Sequence, residues 1–270
     1  MRGWTLGSGS SGNALLLESG GHRLLVDCGF GPRALATRLK AIGIAPESIT
    51  ALVVTHEHLD HAQGAERAQK KWRWPLYASA ATLATMPAVE ARWRRPVEAG
   101  VATDLEGFTL EPVAIPHDAA GPLAFAITAK ASGARVGVAH DLGAVPDALR
   151  RTFARCDALC LEANHDVEML LNGPYPGALQ ARIRGGRGHI NNAESGALAA
   201  ELAWPHLRAV VLLHLSEVNN TPSMAERAVA TSLRRVGYRG PVTAASRRSP
   251  APVFALGADA HPGLQLSLGV

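Results

Sequence analysis

The sequence predicts an α/β chain in which two mixed β-sheets lie face to face with helices outside them, a four-layer αββα sandwich. Hairpins and strand–helix units alternate in the order hairpins, strand–helix, hairpins, strand–helix. Residues 49–54, 158–163 and 209–213 are largely apolar runs of strand length, as expected of strands buried on both faces. No linker and no repeat of 20–50 residues divides the 270 residues. Apolar residues at 47% against 19% charged exclude a disordered chain, and the length carries one domain with a sizeable core. One domain is expected over residues 1–246. The Pro- and Gly-rich tail at 247–270 is expected to be loosely ordered.

Each element has a local reason. A short strand at Trp4–Leu6 runs into the loop Gly7-Ser8-Gly9-Ser10-Ser11-Gly12-Asn13. Strands at Ala14–Glu18 and Arg23–Asp27 flank a Gly20-Gly21 turn. Pro32 opens a helix, Leu35, Leu39 and Ile42 recur at helical spacing, and Gly43 stops it. The strand Ile49–Val54 is followed by a helix from about Asp60 to Trp72 and a short strand at Pro75–Tyr77. Residues 80–95 read as a helix followed by a loop. Phe108–Ile115 is strand-like, and Leu123–Lys130 with Arg135–Ala139 forms a hairpin turning at Ser132-Gly133. A helix at Pro146–Phe153 precedes the strand Ala158–Ala163, and Asp166 caps a short helix reaching Leu171. Asn172–Pro176 is a loop, and Arg182–Arg187 is a basic stretch before the helix Asn192–Leu202. The strand Ala209–Leu213, a helix from Thr221-Pro222 to Val236 and a strand at Val242–Ala244 complete the pattern.

Twenty-seven basic against 23 acidic residues leave a net charge of +4, compatible with an anionic substrate. The cations are four Lys and twenty-three Arg, and Arg suits bidentate phosphate recognition. Cys28, Cys156 and Cys160 are odd in number and form no C-x-x-C, which argues against a disulfide framework or a thiolate zinc site. No apolar run approaches the ~18–20 residues of a membrane span, and the N-terminus has no secretory h-region. A cytoplasmic protein without a membrane partner is expected.

The strongest chemical signal is His56-x-His58-x-Asp60-His61, set between an apolar strand and a helix. His56 and His58 alternate, so an extended segment turns both imidazoles the same way. Three imidazoles and a carboxylate in so short a stretch exceed what one ion usually takes from it, which suggests two metals sharing the loop. The spacing differs from the helical H-E-x-x-H zinc motif. Further His and Asp residues follow other strands: His117, His140-Asp141, His165 and His214. Their recurrence at strand ends implies one ligand-lined rim and adds His117, Asp141 and His214 to the candidate ligands.

These residues resemble the metallo-β-lactamase fold superfamily of metallo-hydrolases. The anchors are the opening Gly/Ser loop, Leu25-Val26-Asp27-Cys28-Gly29 and Thr55-His56-x-His58-x-Asp60-His61. Within it, the chain looks most like the bacterial YycJ/WalJ branch of metal-dependent DNA exonucleases, related to ribonucleases Z and J. That likeness rests on Pro116-His117-Asp118-Ala119, Asp141-Leu142-Gly143, Leu161-Glu162-Ala163-Asn164-His165-Asp166, Gly173-Pro174-Tyr175-Pro176, Gly188-His189-Ile190-Asn191-Asn192 and Leu213-His214-Leu215-Ser216-Glu217 with Asn219-Asn220.

The resemblance implies two divalent ions, Zn²⁺ or Mn²⁺. His56, His58 and His117 would hold one, Asp60, His61 and His214 the other, with Asp141 bridging. One departure is His140, standing where the family pattern has Thr. The implied activity is phosphodiester hydrolysis on nucleic acid, with DNA exonuclease as the best reading. Hydrolysis of a small ester, thioester or lactone is the alternative on the same core. Asp60 would orient the attacking hydroxide and His189 would act as general acid. His165 is either a hydrogen-bond donor lining the site or an orienter of other groups.

Ser10, Ser11 and Asn13 are candidate phosphate contacts, or simply a strand connector. Asn164, Ser216, Asn219 and Asn220 either contact substrate or brace ligands. Arg182, Arg184 and Arg187 form either a solvated face or a phosphate track. Trp72, Trp74 and Trp93 among Arg73, Arg92, Arg94 and Arg95 are core residues with flanking charge, or a stacking surface for single strands. No large appended domain is evident, so a partner or a homodimer would supply further nucleic-acid surface.

Overall fold

Two seven-stranded sheets form the centre of the structure, a computed structural model in which residues 1–257 are described. The first sheet begins with the antiparallel strands β1 (Arg2–Gly7), β2 (Ala14–Ser19) and β3 (His22–Val26). After helix α1 (Pro32–Ala41), it continues in parallel through β4 (Ala51–Val53), β5 (Leu76–Ala78) and β6 (Arg94–Pro96). Helices α2 (Leu59–Ala62), α3 (Ala65–Trp72) and α4 (Ala80–Ala84) lie among these strands in the chain.

The second sheet mirrors that plan. Strands β7 (Thr103–Leu105), β8 (Phe108–Ala114), β9 (Leu123–Ala129) and β10 (Arg135–Ala139) pair antiparallel. Strands β11 (Ala158–Glu162), β12 (Ala209–Leu213) and β13 (Val242–Ala244) then add in parallel. Their connections carry α5 (Asp147–Phe153), α6 (Val167–Asn172), α7 (Gly177–Arg184), α8 (Asn192–Glu201) and α9 (Pro222–Arg235). The last strand, β14 (Ala251–Ala255), returns to pair antiparallel with β1.

The core follows from strand alternation. Leu15 and Leu17 of β2 face the second sheet, where Phe125, Ile127, Val138 and Cys160 meet them. Leu16 faces the helix layer with Leu35, Leu39 and Trp74. On the other side Leu159 and Leu161 of β11 pack with Phe153, Leu198, Val229 and Leu233. Both faces of each sheet are therefore covered, the expected αββα order, which is why the central strands read as near-continuous apolar runs.

Several local expectations are corrected. The helix expected over 60–72 is broken at Gly64, where a Cβ would stand 1.9 Å from the Phe30 carbonyl oxygen. Residues 80–95 end in β6, not in a loop. β7 and α7 carried no local signal, and α7 buries no residue. Residues 251–255 of the expected loose tail form an ordered edge strand, in which Phe254 packs over Gly3 and Pro252 is tolerated. Residues 258–270 lie outside the described residues.

Trp74 is buried in the core and the half-buried Trp72 stacks on it at 4.9 Å between ring centroids, so packing accounts for both. Cys28, Cys156 and Cys160 are buried free thiols; burial pushes Cys28 and Cys156 up to about 12 and raises Cys160 as well. Among the described residues no helix is long and apolar enough to cross a membrane.

Candidate metal centre

Loops at one rim of the sandwich deliver the site. The residues that follow β4, β8, β10 and β12 are respectively 54–61, His117, Asp141 and His214. Asp27, Asp141 and His214 have φ of 62°, 50° and 55°, the left-handed region that few non-glycine residues adopt. Such strain, about 1–3 kcal/mol each, persists where the surroundings over-determine it and is typical of functional sites.

Hydrogen bonds assign the ring tautomers. His58 Nε2–H donates to the Asp118 carbonyl at 2.9 Å, and His117 Nδ1–H donates to the Gly188 carbonyl at 3.1 Å. Burial pushes His117 down to about 4, so it is neutral. His58 Nδ1 and His117 Nε2 thus face each other, lone pair to lone pair, 3.3 Å apart. Thr55 Oγ1 donates to Asp27 at 3.0 Å and so accepts from His56 Nδ1 at 3.0 Å. His56 Nε2 is left with a bare lone pair that meets no hydrogen-bond donor and lies 3.1 Å from Asp141 Oδ2. Three imidazole lone pairs and a carboxylate turned toward one another repel unless a cation lies among them. The residues therefore fit a divalent metal with nitrogen and oxygen donors.

A second group adjoins the first. His61 Nδ1–H donates to Asp27 at 2.7 Å, which aims Nε2 at Asp141 Oδ2, 2.9 Å away. Asp60 Oδ2 lies 3.4 Å from His61 Nε2 and 3.0 Å from His214 Nε2. Burial disfavours charge on His61, yet Asp141 and Asp27 outweigh it and hold positive charge at the ring. Burial likewise opposes ionisation of Asp60, but His214 and His61 hold it ionised. Asp141 belongs to both groups. Its Oδ2 meets His56 and His61 and lies 4.0 Å from His117, while its Oδ1 lies 2.7 Å from His214 Nδ1.

His189 stands beside these groups, with Nδ1 2.7 Å from Glu162 and 3.3 Å from Asp141. Burial lowers its affinity for a proton, but Glu162 and Asp141 prevail and push it up to about 9. Glu162 is fully buried and accepts from Leu142 N at 2.7 Å and Ile190 N at 3.3 Å. Neither Glu162 nor Asp27 was singled out as a site residue from the sequence. Both lie at or just after strand ends of the ligand-rich rim, and that position was the available signal.

The metal-donor residues expected from the sequence, His56, His58, Asp60, His61, His117, Asp141 and His214, all converge here. A cleft of about 430 Å³ opens beside them, lined by His58, Asp60, His117, Asp141 and His214 of this set and by Ser10, Asp118, Leu179, Arg182, Ile183, Arg187, Gly188 and His189. His165 is brought close but does not line that cleft. It is buried behind Asn164, and burial pushes it down to about 4. His140 packs edge-on against His61 at 5.2 Å and lies with it and Asp27 in a further buried group.

Four of the candidate substrate contacts, Asn13, Asn164, Asn219 and Asn220, have buried side chains. Asn13 bonds Gly9 and the Asp60 carbonyl, and its Nδ2 also lies 3.3 Å from Asp60 Oδ2 and 3.1 Å from His61 Nε2, bracing the Gly/Ser loop against the candidate ligands. Asn164 donates to the His214 carbonyl, and Asn220 donates to the carbonyls of Ala163 and Asn164. Asn219 is buried beneath Gly173 and has no side-chain partner among the described residues. Ser216 accepts from the backbone of Val218 and Asn219, closing a turn. Only Ser10 of this set lines the cleft.

Comparison with known proteins agrees with this geometry. A β-lactamase superfamily domain matches residues 22–215. The chain is 29% identical over 237 residues to the exodeoxyribonuclease YycJ of Bacillus anthracis, covering 86% of this chain and 89% of that one. It is 30% identical over 234 residues to the exodeoxyribonuclease WalJ of Streptococcus pneumoniae serotype 2, covering 84% and 86%. Among solved structures, the metallo-β-lactamase fold protein YhfI of Bacillus subtilis superposes with a TM-score of 0.68 at 19% identity, covering 93% and 98%. The short form of human tRNase Z superposes with a TM-score of 0.65 at 17% identity, covering 94% and 100%. Two covered sheets, a His/Asp rim and these matches converge on one assignment: the chain belongs to the β-lactamase superfamily of metal-dependent hydrolases.

Proposed function

We propose that this hydrolase cleaves phosphodiester bonds in nucleic acid with two divalent ions, Zn²⁺ or Mn²⁺, and that it acts as a DNA exonuclease. The observation that carries the proposal is a pair of His/Asp groups sharing Asp141 beneath a cleft with arginines in its wall. The named activity of the YycJ and WalJ relatives supports DNA as the substrate. A cleft of about 430 Å³ is the size of a small-ligand pocket, which favours a chain end over the width of a duplex.

His56, His58 and His117 would hold one ion, and Asp60, His61 and His214 the other, with Asp141 between them. Bound there, divalent ions supply positive charge for phosphoryl oxygens and acidify a water. The protein's own residues do the rest. Asp60, an ionised acceptor at the cleft wall, orients the attacking water. His189, held by Glu162, carries the proton for the leaving oxygen. His165, buried behind Asn164, orients neighbouring groups. Asn13 clamps the Gly/Ser loop, leaving Ser10 at the cleft to meet phosphate. Three buried free thiols suit a reducing compartment, so we place the protein in the cytoplasm. A homodimer would extend the nucleic-acid surface.

The test is degradation of end-labelled DNA and RNA by purified protein loaded separately with Mn²⁺ and Zn²⁺, with Asp60→Ala as control. Laddering of DNA from one end, absent in the control, is expected. A folded, metal-loaded protein that cleaves neither polymer would overturn the reading in favour of a small-ester hydrolase.

A further inference from the structure

We propose that Arg182 grips the phosphate next to the scissile one and that Asp118 is its resting partner, displaced as substrate enters. The inference rests on the nuclease reading and adds to it a specificity-determining pair.

The two arginines of the cleft wall differ in what they do. Arg187 directs Nε and Nη2 onto the His117 carbonyl at 3.3 and 3.2 Å, so that fork supports the backbone of a metal-site residue. Arg182, on α7, makes one contact, Nη2 to Asp118 Oδ2 at 2.8 Å. Its side chain is 68% exposed and lines the cleft. Arg184 does not line the cleft. α7 buries no residue, so core packing does not explain the position of Arg182.

Asp118 is tied to the metal centre. It follows His117, and its carbonyl takes the His58 Nε2 proton. Its carboxylate stands at the cleft wall, 52% exposed, where an incoming phosphate meets like charge. With Arg182 paired to it, that carboxylate is neutralised and the guanidinium is held over the cleft. A phosphodiester competes well for the guanidinium, because a planar fork binds two phosphate oxygens at once. Exchange of partners strands no buried charge, since Asp118 passes to water, and an exposed ion pair of this kind is worth little. The scissile phosphate is met by the His/Asp groups on the cleft floor. Arg182 lies on the exposed wall, where the adjoining phosphate of a chain would pass.

The test uses metal-loaded protein and the variants R182Q, R182K and D118N. Binding of a fluorescent, cleavage-resistant phosphorothioate single strand is followed by anisotropy across a salt series. Turnover is measured on a DNA single strand and on bis(p-nitrophenyl) phosphate, a diester with no neighbouring phosphate. R182Q is expected to weaken strand binding about tenfold and to lower the salt slope by about 0.7, one phosphate contact on a single strand. R182K should fall between R182Q and wild type. D118N should bind the strand more tightly than wild type. R182Q and R182K should keep the wild-type KM for the small diester. An R182Q protein that degrades DNA with wild-type affinity and salt slope would overturn the Arg182 assignment alone. So would an equal rise in KM for the small diester, because Arg182 would then hold the scissile phosphate. Wild-type protein that hydrolyses the diester but neither binds nor degrades a strand would instead overturn the nuclease reading, and this inference with it.

Discussion

Glu162→Gln separates a working network from an inert buried acid. Glu162 Oε2 accepts from Leu142 N and Ile190 N, and Oε1 accepts from His189 Nδ1 at 2.7 Å and lies 3.4 Å from His214 Nδ1. Glutamine keeps the shape but has one acceptor oxygen. Whichever way the amide turns, its NH₂ faces either the two backbone N–H groups or the two imidazoles. Two hydrogen bonds to a charged acceptor are then lost, each worth about 1.5–3 kcal/mol. A loss of about 3–5 kcal/mol is the usual result of breaking a buried charged network. The denaturation midpoint should therefore fall markedly. Hydrolysis of bis(p-nitrophenyl) phosphate at saturating metal, corrected for folded protein, should drop about 10–100-fold, as for other groups that orient active residues. The assay pairs a urea titration with steady-state rates. An unchanged midpoint with kcat within about twofold of wild type would refute the claim that Glu162 holds His189.

Three further outcomes are expected. Asp27→Asn should preserve the φ of 62°, which Asn tolerates, but weaken the orientation of His61, reducing metal affinity about 10–100-fold in a chelator competition. Phe254→Ala should destabilise the chain by about 3–5 kcal/mol, read as a denaturation midpoint, because the ring is buried in the core and packs over Gly3. Metal at about 100 times its Kd should raise stability by about 2.7 kcal/mol, so that EDTA lowers Tm by several degrees. His56→Ala should shrink that difference.

Much of the fold was legible in local pattern. A strand covered on both faces must be apolar at consecutive positions, and 51–54 and 209–213 are. A helix beside such a sheet needs apolar residues every third or fourth position, as Leu35 and Leu39 provide. The His56-x-His58-x-Asp60-His61 spacing carried its chemistry in six consecutive residues.

What the sequence alone determined about this protein was therefore most of the sheet-forming segments, the order of the layers and the candidate metal donors. Tertiary structure decided which polar groups serve that set. Asp27 reaches His61 across 34 residues, and Glu162 reaches His189 across 27. Asn164 and Asn220 stand at the same rim, yet turn into the protein because buried carbonyls there need donors. The strand at 251–255 exists because β1 has an open edge, and the Arg182–Asp118 pair spans 64 residues. Periodicity and short motifs record what a residue needs from its immediate neighbours. Partners distant in the chain are chosen by the geometry of packing, where an unpaired buried charge or lone pair is too costly to leave.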